Sequence, residues 1–407
     1  MTGYSPLLAC YGGGHAQIIS VLAMAMTKRG LNPRVIGFTT AYRSLRRAGI
    51  DAFSVEALLE PEDERFLEAA GQFIGPESHP DVTTAETRAY YAIGLHDLVT
   101  RLGWNDALQA IGAHGRKAFE PTTVLSRYLQ KTRPDIVVTT TSPRFELAML
   151  RAGRALGIPT LAVGDLFLVK ESEWIVSPGY AQNLAVLSDD VAEFMATKGY
   201  PPADIRVTGN PAFDSLAPGA GDERRRAALR EAWNLTDKTV VLWPAPGSAM
   251  SMIGRAFQPV EQVISALEGL CAKDPSFSYV YRTHPNTTGS EALPIVRGRL
   301  DQGALLPEEA LLIADIVCVE ASTMGLQAAI RGLPVICIGF ADYVMYPQFG
   351  LAQSVDSLEA AMELIVRGKV PPPSKNKMPP VGNSTELVLS FIEEIVSSNR
   401  KAAISNV

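Results

Sequence analysis

The stretch Ile316–Ile336, IVCVEASTMGLQAAIRGLPVI, decides the reading of the fold. Its apolar run Ile316 to Val319 stops at Glu320-Ala321-Ser322-Thr323. Met324, Leu326, Ala328 and Ile330 then start a short helix, Gly332 closes it, and Pro334 opens another apolar run. Apolar runs of about four to eight residues bounded by turn signals read as strands buried on both faces, so the unit is β-α-β. Ser322 and Thr323 stand where the backbone N–H groups of a helix start lack partners inside the helix. Such a terminus carries roughly half an elementary positive charge and suits a phosphate or diphosphate. The same hydroxyls could equally N-cap a purely structural helix.

Working outward, the 407 residues exceed one compact core, and about two to three domains is the expectation. With 47% hydrophobic and 20% charged residues and no low-complexity tract, the composition is that of a globular protein. A net charge of -6 argues against general nucleic-acid binding, which needs a basic field over one face. Arg224-Arg225-Arg226 reads as a solvated helix face. Arg43, Arg46 and Arg47 read the same way, with a polyanion or an anionic lipid surface as the alternative. Cys10, Cys271, Cys318 and Cys337 form no C-x-x-C pair, so neither a zinc knuckle nor a redox dithiol is signalled. No apolar run approaches the ~18 residues of a spanning helix, and no signal-peptide pattern opens the chain. A cytoplasmic protein is expected.

The N-terminal residues repeat the β-α-β theme. Pro6 to Tyr11 enters Gly12-Gly13-Gly14-His15, a helix follows with Ile18, Ile19, Val21, Leu22 and Met26 inward, and Val35 to Phe38 is a second strand. Gln17 occupies the place of the last glycine of G-x-G-x-x-G, and no acid ends the second strand, so this is no dinucleotide fingerprint. The glycines still allow a ligand close to the backbone, with His15 at the mouth of the crevice. Helical patterns over residues 85–102 and 104–119 form an insertion that either shapes a substrate cleft or pads the core. Strands at 136–141, 160–163, 183–187 and 205–208 then alternate with helices at 123–132, 143–156 and 189–198. That alternation implies a parallel sheet whose ligands lie beyond the strands' carboxyl ends.

Residues 210–221, rich in Pro, Gly and Ala, mark the best domain boundary. A second series follows: strands at 239–243 and 277–282, an element at 260–271, a helix over 291–300, then the opening stretch. Residues 369–383 read as a connecting strap, and 384–397 as an amphipathic helix with Leu387, Val388, Phe391, Ile392 and Ile395 inward. The expected fold class is α/β, with two Rossmann-like domains facing across a cleft. Residues 1–211 with 384–407 would form the first domain and 212–383 the second.

This arrangement resembles the GT-B fold of nucleotide-sugar glycosyltransferases, and the closest run resembles bacterial UDP-N-acetylglucosamine 2-epimerases. The similar pieces are Pro134-Asp135-Ile136-Val137-Val138, residues 183–187, Val207-Thr208-Gly209-Asn210-Pro211 with Asp214, and Thr283-His284-Pro285-Asn286. Residues 320–334 also parallel the epimerase pattern D-S-G-G-x-Q-E-E-A-x-x-x-G-x-P without a gap. Ser322-Thr323 replace its two glycines, Leu326 one acid, and Gln327 the glutamate that the resemblance assigns to a ribose. The acids expected after the fourth and fifth strands are Thr139-Thr140-Thr141-Ser142 and Gly164-Asp165-Leu166 here. Epimerisation needs acid/base groups around the sugar, and losing most of that set favours a transferase. The Gly13-Gly14-His15 turn is similar to the glycine-histidine loop of the transferase that adds GlcNAc to lipid-linked peptidoglycan precursor.

A second resemblance links His284-Pro285 and Ser322-Thr323 to the HP and Ser/Ser-Thr signatures of bacterial sialyl-, polysialyl- and Kdo-type transferases and teichoic-acid glycerophosphotransferases. It implies that the histidine and hydroxyls hold the donor phosphate, without cofactor or metal; the chain has no D-x-D pair. The donor candidates are therefore Gly13, Gly14, Gly247, Ser248, Arg282, His284, Pro285, Glu320, Ser322, Thr323 and Gln327. Gly247 and Ser248 enter by position, after the first strand of the second series. Glu320 belongs to no E-x7-E signature, because Ala328 holds the second acid position. His15 is the first choice of general base, Asp165 the second and Glu171 the third, while Arg144 and Glu146 could contact acceptor or sugar. The expected partners are a UDP- or CMP-linked sugar and a glycan, lipid-linked or small-molecule acceptor, with no nucleic acid and at most peripheral membrane contact. A homodimer is left open. The competing expectation is an epimerase or hydrolase of nucleotide sugars.

Overall fold

A computed structural model describes residues 3–75, 79–247, 250–251, 254–284, 293–374 and 379–405. Its contacts separate two compact units, Met1–Asp214 with Gly382–Val407, and Ser215–Val381. Among the described residues the first unit holds one parallel sheet. Its strands are β1 (Pro6–Cys10), β2 (Arg34–Gly37), β3 (Ala52–Phe53), β4 (Ile136–Thr139), β5 (Thr160–Val163), β6 (Asn183–Val186) and β7 (Ile205–Val207). They lie in the order β3-β2-β1-β4-β5-β6-β7, so the winding reverses between β1 and β4. Alternate residues of β1 enter opposite cores. Leu7 and Ala9 join Phe38, Tyr90, Phe119 and Phe145, whereas Leu8 and Cys10 join Ile18, Ile19, Leu22 and Val388. Both faces are covered, which is why β1 is apolar without interruption.

The second unit repeats the plan with β8 (Thr239–Pro244), β9 (Phe277–Arg282), β10 (Arg299–Asp301), β11 (Ile316–Val319), β12 (Val335–Ile338) and β13 (Gln353–Val355). Their order is β10-β9-β8-β11-β12-β13, and every pairing is parallel. The reversal falls between β8 and β11. Both sheets thus carry one crevice where neighbouring strands send their chains to opposite faces, the position at which such sheets bind ligands.

Several expectations need correction. The helix expected over 291–300 is not there: residues 293–298 carry no helix or strand, β10 begins at Arg299, and residues 291 and 292 lie outside the described set. Pro294 interrupts the segment, and Gly298 lies so close to Tyr279 that a Cβ would stand 2.4 Å from its ring. The helix of this connection is Pro307–Ile313 instead. Arg224-Arg225-Arg226 is not simply a solvated face. Arg225 pairs with Glu309, and Arg226 binds Asp315 together with the Leu312 and Ala314 carbonyls, fastening the helix Asp222–Ala232 to the sheet's flank. Arg46 and Arg47 do lie exposed, paired with Asp51 and Asp81.

The C-terminal helix runs Ser384–Ser405; its stripe holds the expected Val388, Phe391 and Ile392 with partly buried Ile395 beside them, and adds Leu389 and Val396. The stripe packs against the helix Gly14–Lys28. Its first turn is capped from afar. Asp214 accepts the Ser384 and Thr385 N–H groups, each at 2.8 Å, and the Thr385 hydroxyl at 2.6 Å. Among the described residues no helix is long and apolar enough to cross a membrane.

Candidate functional site

In the first unit, His15 and Thr140 leave β1 and β4, the two strands flanking the reversal. The turn between β1 and the helix Gly14–Lys28 needs its glycines. Gly13 has φ +70°, and a Cβ on Gly12 would stand 1.8 Å from the Thr40 hydroxyl. This helix starts at Gly13 without a side-chain cap, so its first N–H groups remain open at the crevice. The Thr139–Thr141 segment is wholly buried, tied by Thr139 Oγ1 donating to the Thr140 carbonyl at 2.7 Å and Trp174 Nε1 donating to the Thr141 carbonyl at 2.9 Å.

A directed chain of hydrogen bonds crosses the crevice. Glu146, fully buried, accepts the Tyr11 N–H at 2.8 Å, the Ser142 N–H at 3.3 Å and the Thr140 hydroxyl at 2.6 Å. Since Thr140 Oγ1 donates to Glu146, it accepts from His15 Nδ1, 2.7 Å away. Nδ1 of the imidazole thereby carries a proton, and Nε2 is turned out towards Asp165 Oδ2 at 3.6 Å. Asp165 is itself fixed: its Oδ1 accepts the Leu166 N–H at 2.9 Å, and Asn210 Nδ2 donates to its carbonyl at 2.8 Å. Burial pushes the Glu146 carboxyl up, partly offset by the field of His15 and by the groups donating to it. Glu171 is raised by burial and by neighbouring Asp165. His15, Asp165 and Glu171, named from the sequence, therefore gather at one crevice. Glu146 does not face an acceptor there; it holds Thr140, a residue that sequence reasoning left without a role. The available signal was an acid set among Phe145, Leu147, Ala148 and Met149 in the apolar opening turns of its helix.

In the second unit, β8 and β11 end side by side. The chain leaves β8 through Ala245, whose N–H donates to the Arg282 carbonyl at 2.8 Å, and reaches Gly247 against His284. A Cβ on Gly247 would lie 2.8 Å from His284 Nδ1, so only glycine lets these strand ends approach this closely. After β11, Ser322 is the N-cap of the helix Thr323–Ile330, its Oγ accepting the Met324 N–H at 3.2 Å. The structural cap and the open helix terminus are thus the same place. Thr323 is exposed at that terminus and Gln327 half-buried one turn on. Tyr346 braces the turn, its hydroxyl donating to the Ser322 carbonyl at 3.2 Å.

Not every candidate belongs there. Arg282 is buried, and its Nη1 is bound to Asp301 and to the Leu305 carbonyl at 2.9 Å, which removes it from the phosphate candidates. Gly13 and Gly14 belong to the first unit, beside His15, whereas Gly247, His284, Glu320, Ser322, Thr323 and Gln327 belong to the second. Ser248 and Pro285 lie outside the described residues. Among the described residues no group of three or more His, Cys, Asp or Glu is placed to hold a metal.

Glu320 is buried, accepts the Gln258 N–H at 2.9 Å through Oε1, and has no partner for Oε2. Desolvation raises its carboxyl from 4.5 to about 7. The unfolded chain releases this proton first, so stability from this group is present below pH 4.5 and is lost as pH rises through about 7. In Glu320→Gln the fall in melting temperature between pH 4.5 and 7.5 should flatten. An unchanged slope would mean that Glu320 is ionised and solvated throughout.

The comparisons with known proteins agree with this architecture. The Neisseria meningitidis UDP-GlcNAc 2-epimerase, solved bound to UDP-GlcNAc, superposes with a TM-score of 0.59 at 13% identity, covering 96% of this chain and 100% of that one. The Acinetobacter baumannii MurG structure gives 0.54 at 13% identity, over 96% and 99%. The chain has the GT-B fold. In sequence, this GT-B chain is 20% identical to lipid-A-disaccharide synthase of Nitrosococcus oceani over 269 residues, 64% of this chain. The match spans 66% of that protein, just under two thirds of its length. No protein-family profile matches the chain.

Proposed function

We propose that this chain is a glycosyltransferase, moving a sugar from a nucleotide-sugar donor to a hydroxyl acceptor with His15 as general base. One observation carries the reading. The Glu146–Thr140–His15 chain holds Nδ1 protonated and leaves Nε2 as the proton-accepting position at the crevice. In the transfer, the acceptor oxygen bonds to the sugar's anomeric carbon as the bond from that carbon to the phosphate oxygen breaks. The electron pair leaves with the nucleoside diphosphate (or monophosphate), and the acceptor proton passes to His15 Nε2. Asp165 then faces the imidazolium, favouring the charge that develops. The leaving phosphate is assigned to the second unit: His284 beside Gly247, and the helix terminus at Ser322 and Thr323. These groups supply positive potential without a divalent cation, so turnover should persist in EDTA.

A thermal-shift series with UDP, CMP, CDP, GDP and dTDP tests donor binding, since a ligand of the native state raises the melting temperature by mass action. His284→Ala and the double change Ser322→Ala/Thr323→Ala should weaken the bound nucleotide about 10-fold or more while melting cooperatively. Loss of cooperative melting in place of lost affinity would make these residues structural.

Nucleotide-sugar epimerisation is the second reading, favoured by the clustering of Asp165 and Glu171 with His15, which offers more than one proton-transfer group. Incubation with UDP-GlcNAc alone, followed by NMR of the sugar, separates the two. ManNAc or its nucleotide sugar formed without an acceptor would sink the transferase reading.

A further inference from the structure

The second unit carries an open groove of about 830 Å³ between two helices, Val260–Lys273 and Leu358–Val366. The first helix follows β8 and the second follows β13, both strands of one parallel sheet. They pack on the same core and therefore run back over the sheet side by side in the same direction. Leu270 and Leu358 close the floor, Met362 is half-buried, and Val366 stands 56% exposed at the wall. No residue assigned to the sugar chemistry lines this groove.

Charge runs along the groove in one sense. Glu261 and Glu359 stand in the opening turns of the two helices, Lys273 and Arg367 at their ends, and all four line the groove. Glu363 pairs with Arg367 of its own helix at 3.0 Å, whereas Glu261, Glu359 and Lys273 form no ion pair with the described residues. On the first helix Glu261, Ser265, Gly269 and Lys273 follow at intervals of four, a single row about 18 Å long. The row is symmetric about residue 267, with an acid at one end, a base at the other and small residues between. Gly269 has no reason of its own to be glycine. A Cβ there would meet nothing within 4 Å, its backbone is not left-handed, and glycine weakens a helix interior.

We propose that this groove is the interface of a two-fold dimer, covered by the same groove of a second copy of the chain. Two arrangements lay the helix pairs face to face. With the axis along the helices, like charges coincide, Glu261 on Glu359 and Lys273 on Arg367. With the axis across them, each helix meets its own copy antiparallel. Glu261 then faces Lys273 of the second copy, twice over, and Glu359 faces Arg367. The charges select this second arrangement. At its centre Ser265 meets Gly269 of the second copy, and the missing side chain lets the two helices approach closely. The interface is independent of the transferase reading.

Sedimentation velocity of the full chain tests it. At about 50 μM, well above a micromolar dissociation constant, the parent should sediment at twice its 43.8 kDa chain mass. Glu261→Lys and Lys273→Glu, each alone, bring like charges together at two symmetric places and should weaken the dimer about 10-fold or more. Gly269→Gln, whose side chain the open groove of a single chain accommodates, should weaken it as well. An equimolar mixture of Glu261→Lys and Lys273→Glu should regain the parent's association, because in the mixed dimer every acid again faces a base. That rescue also shows that both variants are folded. A parent of any other mass, any of the three variants dimerising like the parent, or a mixture that stays dissociated would overturn the proposal.

Discussion

Replacing His15 with alanine is expected to lower kcat by about 10²–10⁴-fold, the usual contribution of a positioned general base, while leaving nucleotide affinity unchanged. The two effects separate because His15 is assigned to the acceptor hydroxyl, whereas His284, Ser322 and Thr323 are assigned to the leaving phosphate. The imidazole is part of no core and is held only through Thr140 and Asp165, so its removal should not move the melting temperature appreciably. Steady-state kinetics with calorimetry of the nucleotide measures both quantities. A His15→Ala protein that keeps its kcat would transfer the role of base to Asp165 or Glu171. One that instead loses nucleotide affinity would place His15 on the donor.

Arg282→Met is expected to destabilise the protein by about 3–5 kcal/mol, as breaking one side of a buried ion pair does. Asp301 is fully buried, and its Oδ1 already accepts the Gly303, Ala304 and Leu305 N–H groups at 3.0, 2.9 and 3.2 Å. Its other oxygen accepts from Arg282, so methionine would strand a carboxylate in the interior. Denaturant unfolding reads the loss, with UDP affinity measured well below the transition. A variant that unfolds like the parent yet binds UDP poorly would restore Arg282 to the phosphate site, where its place two residues before His284 first suggested it.

The two cases show what a sequence can and cannot disclose here. The strands were legible because both faces of each sheet are buried: runs such as Leu7 to Cys10 and Val317 to Val319 leave no polar position to obscure them. The crevices were legible too, since glycine and hydroxyl residues cluster where strands end. Direction was not. Arg282 and Glu146 stand at the same kinds of junction as His284 and His15, yet one is folded into an ion pair and the other buried under Thr140. Their partners, Asp301 and Thr140, are 19 and 6 residues away, and neither spacing carries a periodic signal. The helix expected over 291–300 failed for a related reason: among its described residues Gly298 is required against Tyr279 and the chain extends into β10 at Arg299.

The carboxylate of Asp214 has a topological meaning beyond its hydrogen bonds. It is the last residue of the first unit before the chain departs, and it grips Ser384 and Thr385, just after the chain returns at Gly382. The exit and the re-entry are therefore stapled together, and the intervening Ser215–Val381 forms a closed excursion from an otherwise complete body. Such adjoining ends are the geometry at which a chain tolerates the exchange of one compact unit without reopening the other.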